Sequence, residues 1–271
     1  MRKVLRVMLV VAMCFGMLAG CGKTNDTSAQ KEEEKFADED FMKDMAKSLE
    51  TRWALNEADA NKSYTEGSEE QKELFSKWTK AELDIVQKYE DEKFENSKLK
   101  ELAIQYINVL KTQEDAMKCV TVDYVKFSDI WQTNYDARTQ IIAQLKNDYG
   151  LEVSKKYQSS LDDLLTNAQL VTDEQNTKNT VEEFIKSIQF TVESDEYGMK
   201  TCSAVVENTT GLGFKSLPLT INLLDADGVI VETTYSSVSN FAAGAKAKFE
   251  FMTTKEFTST DINAEYYELD Q

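Results

Sequence analysis

Two spacings of apolar residues divide the chain near residue 186. Before it, apolar positions recur every three or four residues: Phe41, Met45, Leu49 and Trp53, then Leu74, Trp78, Ala81, Ile85 and Tyr89, then Leu99, Ala103, Tyr106, Ile107 and Leu110. Each series is one face of an amphipathic helix, and each needs a partner to bury against. Phe127, Ile130, Trp131, Ile141, Leu145 and Tyr149 predict another helix, and Val153, Tyr157, Leu161, Leu164, Leu165 and Ala168 a further one. After Lys186 the period becomes two: Ile188, Phe190, Val192; Cys202, Ala204, Val206; Leu219, Ile221, Leu223; Val229, Val231; Phe249, Phe251; and Ile262, Ala264, Tyr266. Such short alternating runs are half-buried strands.

The helix breakers follow the same division. Between Phe36 and Ser187 the only glycines are Gly67 and Gly150 and there is no proline, whereas Gly198, Gly211, Gly213, Gly228, Gly244 and Pro218 fall in the alternating part. Ser68 with Gln71 and Thr172 with Gln175 fit capping boxes at helix starts, and Gly150 is placed to stop a helix. From Glu69 to about Lys118 only Asn96-Ser97 interrupts the pattern. That stretch is either one helix of about 75 Å or two helices with a kink near Asn96. The reading is an α+β chain: an antiparallel helical bundle over 37–185, then an immunoglobulin-like β-sandwich over 186–271. Asp225-Ala226-Asp227-Gly228 reads as a hairpin turn rather than a calcium loop, which needs a third alternating Asp or Asn and a later glutamate.

The N-terminal residues carry a different signal. Basic Met1-Arg2-Lys3-Val4-Leu5-Arg6 precedes an apolar run from Val7 to Met17 and then Leu18-Ala19-Gly20-Cys21. The order reads as a secretory signal over 1–20, and its apolar run is too short to span a bilayer as a helix. Leu18-Ala19-Gly20-Cys21 resembles the lipobox of bacterial lipoproteins. The resemblance implies a diacylglycerol on the Cys21 thiol, cleavage before it, and attachment to the extracytoplasmic face of the bacterial cell membrane. Residues 21–36, small, polar and charged, then form a disordered tether reaching about 20 Å.

Charge narrows the partners. The chain has 31 basic and 48 acidic residues, a net charge of −17, which becomes −20 once Arg2, Lys3 and Arg6 leave with the signal. Such a surface is repelled by nucleic acid and by anionic lipid. There is no histidine, so Ser-His-Asp, Cys-His and histidine-containing metal sites are unavailable; enzymes built on carboxylates, Lys or Tyr survive that exclusion. No cofactor, metal or catalytic residue is indicated. With Cys14 in the signal and Cys21 acylated, Cys119 and Cys202 remain, either as one disulfide or as separate thiols.

A second resemblance covers 186–271. Ile221-Asn222-Leu223-Leu224-Asp225-Ala226-Asp227-Gly228-Val229-Ile230, with Val206-Glu207-Asn208 before it and Ala243-Gly244 and Phe249 after it, is similar to the FxLYD-type domain of bacterial surface proteins. Ile221 stands where that family has Phe, Leu224 where it has Tyr, and Ala243 where Pro is usual. The resemblance implies an immunoglobulin-like fold and brings no catalytic residues. The expected function is a non-catalytic binding or interaction module at the cell envelope, its partner an envelope protein or polymer. The alternatives are a solute-binding lipoprotein of a transporter, which would need two α/β lobes, and a carboxylate-dependent envelope enzyme, which would need two inward-facing acids in a cleft. Tyr64 and Phe94, aromatic residues off the helical stripes, are candidate surface contacts.

Overall fold

The computed structural model describes residues 35–194 and 197–270. The expected signal over 1–20, Cys14, the lipidation site Cys21 and the tether up to residue 34 lie outside the described residues.

Five helices come first: α1 (Asp38–Ala58), α2 (Glu69–Val86), α3 (Ser97–Ala116), α4 (Tyr124–Tyr149) and α5 (Gln158–Lys186). Their ends follow local chemistry. Ser68 accepts the Gln71 N–H at 3.2 Å, while the Gln71 side chain accepts the Gly67 N–H at 2.8 Å. Asp123 caps α4 through the Lys126 N–H. Gly150 ends α4 in the left-handed region, at φ 70°, which a residue without Cβ adopts at little cost.

The interval from Glu69 to Lys118 is two helices. A short 3-10 turn, Gln87–Glu90, ends the first, and the Asn96 side chain then accepts the N–H groups of Lys98 and Leu99, both at 3.0 Å. The break is stitched rather than loose. The Lys100 ammonium donates to the carbonyls of Tyr89, Glu90 and Glu92, and the Asp38 carboxylate accepts the N–H groups of Glu95 and Asn96. Thr172 does not start a helix, contrary to the capping-box expectation. α5 runs straight through it, and its hydroxyl donates to the Ala168 carbonyl at 2.9 Å. Exposed side-chain bonds one turn apart, Gln169 to Asp173 and Gln175 to Asn179, hold this polar stretch helical.

α1 and α2 run antiparallel, joined by Lys77 to Asp59, Arg52 to Glu82 and Lys88 to Asp44. The core of the helical part takes Phe41, Met45 and Leu49 from α1, Tyr106, Ile107 and Leu110 from α3, and Ile142 and Leu145 from α4. Burial of each such side chain contributes about 1.5–3 kcal/mol. A smaller cluster, Met117, Val120 and Phe127 with Phe75 and Trp131, fills the turn between α3 and α4.

The C-terminal part is two antiparallel sheets. β1 (Thr191–Ser194), β2 (Lys200–Glu207) and β5 (Lys246–Thr253) form one, in the order β1-β2-β5. β3 (Phe214–Leu224), β4 (Ile230–Phe241) and β6 (Ser259–Asn263) form the other, in the order β4-β3-β6, with β7 (Glu268–Leu269) also on β3. One core lies between the sheets. Cys202, Ala204, Phe249 and Phe251 enter it from the first, Leu217, Leu219, Ile221 and Leu223 from the second. The Asp225 side chain accepts the N–H groups of Asp227 and Val229 at 3.0 and 2.9 Å, and Gly228 turns the β3-β4 hairpin at φ 78°.

α5 contributes to both cores. Leu161 and Leu164 belong to the helical one, while Val181, Phe184 and Ile185 lie among the sheet residues. The expected boundary at 185/186 therefore falls where the last turns of the helix are already buried against the sheets.

Asn208 ties three loops together. Its amide donates to the carbonyls of Leu212 and Phe241 at 2.7 and 3.0 Å, its side-chain oxygen accepts from Thr210, and its backbone pairs with Gly244 and Ala245.

Three details depart from the alternating pattern. Val192, on the edge strand β1, is exposed, as is Val229, which precedes β4. Tyr266 is 80% exposed, because β6 ends at Asn263 and the chain re-enters the core one residue later, with Tyr267 set edge-on to Phe214 at 6.1 Å. Cys119 and Cys202 are separate thiols. Cys202 is buried on β2, and burial pushes its thiol pKa up. No helix among the described residues is long and apolar enough to cross a membrane.

Candidate functional site

A cleft of about 990 Å³ lies where α5 meets the β6-β7 segment. α5 supplies Lys178, Glu182 and Lys186, and behind them Val181 and Ile185. β3 adds Ser216 and Pro218, and the chain from Asn263 to Glu268 forms the opposite wall. Helical spacing puts the α5 residues on one face, and the early end of β6 leaves Tyr266 standing outward. The volume suits a small ligand or one segment of a chain molecule.

Charges here are largely spoken for. Lys186 pairs with Glu182 at 3.5 Å, and Lys215, beside the cleft, pairs with Glu268 at 2.9 Å. Glu268 holds the Lys215 ammonium above the usual lysine range. Burial, reinforced by the charges of Glu174 and Glu182, pushes the Tyr267 phenol above its ordinary value of 10. A phenol shifted that way stays protonated, which suits a hydrogen-bond donor and opposes a base or nucleophile. The cleft thus presents phenol, amide, carboxylate and ammonium groups able to bind, with Tyr266 exposed at its rim. Among the described residues no group of three or more Cys, Asp or Glu is placed to hold a metal ion.

The cleft continues onto the outer face of β4-β3-β6. The register sets Tyr235, Thr220 and Asn263 in one row and Thr233, Asn222 and Asp261 in the next. Thr233 donates to the Asn222 side-chain oxygen at 2.8 Å, and the amides of Asn222 and Asn263 donate to Asp261 at 3.4 and 3.3 Å. Asn263 belongs to both the face and the cleft.

A second polar constellation is sealed inside the helical part. Glu82 on α2 is fully buried between Arg52 on α1 and Arg138 on α4. Arg138 donates from Nε at 3.0 Å and from Nη2 at 2.8 and 3.1 Å, and Arg52 from Nη1 at 2.8 Å. The guanidinium groups also lie over aromatic rings, Arg52 by Trp131 and Arg138 by Tyr106, each 5.9 Å from the centroid. Burial and the like charge of Arg138 push the Arg52 pKa down, and Glu82 opposes that shift. Closed to solvent, this triad is a packing device rather than a site.

The surface candidates separate. Phe94 packs edge-on against Phe41 at 5.6 Å and Tyr89 at 6.2 Å, and so belongs to the core margin. Tyr64 remains 41% exposed and sets its ring edge-on to Phe75. Neither meets the cleft. Periodicity missed the triad because helical stripes count apolar residues only. A signal was present: beyond residue 20 the only arginines are Arg52 and Arg138, every other cation being lysine. Arginine is the residue suited to a buried, forked ion pair.

No protein-family model and no curated protein matches the chain. Among solved structures, the Pseudomonas fluorescens alkylpurine DNA glycosylase AlkC, bound to DNA containing an abasic site analog, aligns with 82% of this chain and 76% of its own. The identity is 10% and the TM-score 0.20; a likeness at that level carries no argument.

Proposed function

We propose that the protein is a lipid-anchored extracytoplasmic lipoprotein of the bacterial cell membrane, acting as a non-catalytic binding module at the envelope. The anchor is the diacylated Cys21, as the lipobox resemblance implies, and the described part is carried outside the membrane on the tether. The C-terminal sheets are read as an immunoglobulin-like sandwich of the FxLYD type. Support comes from the shared core between the two antiparallel sheets and from the meeting of Asn208 with Gly244 and Ala245, segments that the family resemblance names separately.

The observation that carries the binding reading is the cleft at α5 and β6-β7. Its polar groups face solvent, Lys186 and Glu182 in it are paired, and its half-buried phenol is held protonated. The test is in two parts. Metabolic labelling with a palmitate analogue should mark the wild-type chain and not Cys21→Ala, and only the wild type should sediment with membranes. A photocrosslinking residue placed at Tyr266 should capture an envelope component, and the same residue at Lys98, an exposed position at the start of α3, should not. Equal labelling of Cys21→Ala would sink the anchor, and equal capture from both positions would sink the cleft.

A further inference from the structure

We propose that the cleft and the outer face of β4-β3-β6 together bind one extended, uncharged oligosaccharide strand; this rests on the binding-module reading and names its ligand class. Asn263 makes the two surfaces one. The face carries rows of hydroxyl and amide groups, Ser239 with Ser216, Ser237 beside Pro218, then the two three-residue rows, and the Ser216 row ends on Glu268 of β7, which is paired with Lys215. The Asp261 carboxylate already accepts from two amides.

Three physical features favour a sugar chain. The cross-strand bonds of Thr233, Asn222, Asp261 and Asn263 fix side-chain orientation before a ligand arrives, which lowers the ordering cost of binding. Tyr235 and Tyr266 are 70% and 80% exposed, and an aromatic ring beside hydrogen-bonding groups matches a molecule with C–H faces and hydroxyl rims. The charges at the cleft, Lys178, Lys186 and Lys215 against Glu182, Glu265 and Glu268, balance in sign, so a polyion finds no net opposite charge there, and the overall charge of −17 repels polyanions. An extended peptide would instead use a free backbone edge and apolar side-chain pockets; the face offers side-chain polar groups. From Ser216 to Asn222 the strand spans about 20 Å, room for several sugar rings.

The test is calorimetric titration of the full chain, in a sugar-free zwitterionic detergent, with three probes. Two are neutral, the β-1,4-linked tetramers of N-acetylglucosamine and of glucose, and the third is an anionic galacturonate tetramer. At least one neutral tetramer should bind, more tightly than its dimer and with little change in 0.5 M salt. Tyr266→Ala and Asn263→Ala should each weaken it about fivefold or more, while Tyr64→Ala leaves it unchanged. The proposal is overturned if no neutral tetramer binds, if the Tyr266→Ala, Asn263→Ala double variant binds as well as wild type, or if the galacturonate binds best. Should the neutral probes fail while a crosslinker at Tyr266 captures an envelope polypeptide, the ligand class falls and the binding module stands. Failure of both measurements removes both.

Discussion

Replacing Glu82 by Gln tests the reading of the buried triad most sharply. The side chain keeps its size, so packing is nearly conserved, but two guanidinium groups at 6% and 2% exposure are left without an anion. Breaking a buried ion pair in this way costs about 3–5 kcal/mol, and for a chain of this size that lowers Tm by about 6–20 °C. The stoichiometry adds an ordering. Arg138 donates three of the four bonds to Glu82 and Arg52 one, and losing either arginine leaves a neutral pair. Glu82→Gln should therefore cost most, Arg138→Met less, and Arg52→Met least. Urea unfolding followed by tryptophan emission is suited to this, because Trp53, Trp78 and Trp131 all lie in the helical part, Trp131 beside Arg52. A Glu82→Gln protein within 1 kcal/mol of wild type, or an Arg52→Met cost equal to that of Glu82→Gln, would refute the reasoning. The triple replacement Arg52→Met, Glu82→Leu, Arg138→Met should recover most of the loss, since the desolvation cost then disappears with the charges.

Asn208→Ala should destabilise the sheets by about 2–3 kcal/mol, because the carbonyls of Leu212 and Phe241 lose their donor in a buried corner; denaturant midpoints compared with Asn222→Ala, on the solvent face, would show it. The Asp59 carboxylate, bonded by Lys62, Lys77 and Trp78, titrates well below the usual range. A depressed folded value means that its stabilisation is complete above about pH 5 and is lost as pH falls below about 4; carboxyl NMR titration should show the Asp59 midpoint rising in Lys77→Met, and an ordinary midpoint in the wild type would count against the contact. For Tyr267 the sign is opposite. The raised phenol favours the folded state below pH 10, an advantage lost as pH climbs through the folded value, and in a difference ultraviolet titration Glu182→Gln should bring that midpoint down.

How far the sequence carried the description differs by element. Helix stripes such as Phe41, Met45 and Leu49, and strand faces such as Leu219, Ile221 and Leu223, were legible because burial selects a period. The break before Asn96 was legible only as one of two options, since the contacts that fix it, Lys100 on three carbonyls and Asp38 from α1, are tertiary. Thr172 misled because a capping pair looks the same inside a polar helix as at its start. The cleft was not legible. Its walls, Lys178 and Glu182 on one side and Asn263 to Tyr267 on the other, are about 85 residues apart in sequence, and no periodicity joins them.

α5 carries one further consequence. Between buried Ala168 and Lys178, the first α5 residue to line the cleft, none of its residues is buried, so about 15 Å of helix without a buried side chain spans the interval. It behaves as a ruler and as a crankshaft. Each residue inserted there lengthens the interval by about 1.5 Å and turns the sheets by about 100° about the helix axis. Seven added residues, close to two full turns, would preserve the phase and change only the distance. Two would swing the cleft to nearly the opposite side, with both cores intact, so the phase of one polar helix governs the direction in which the cleft faces.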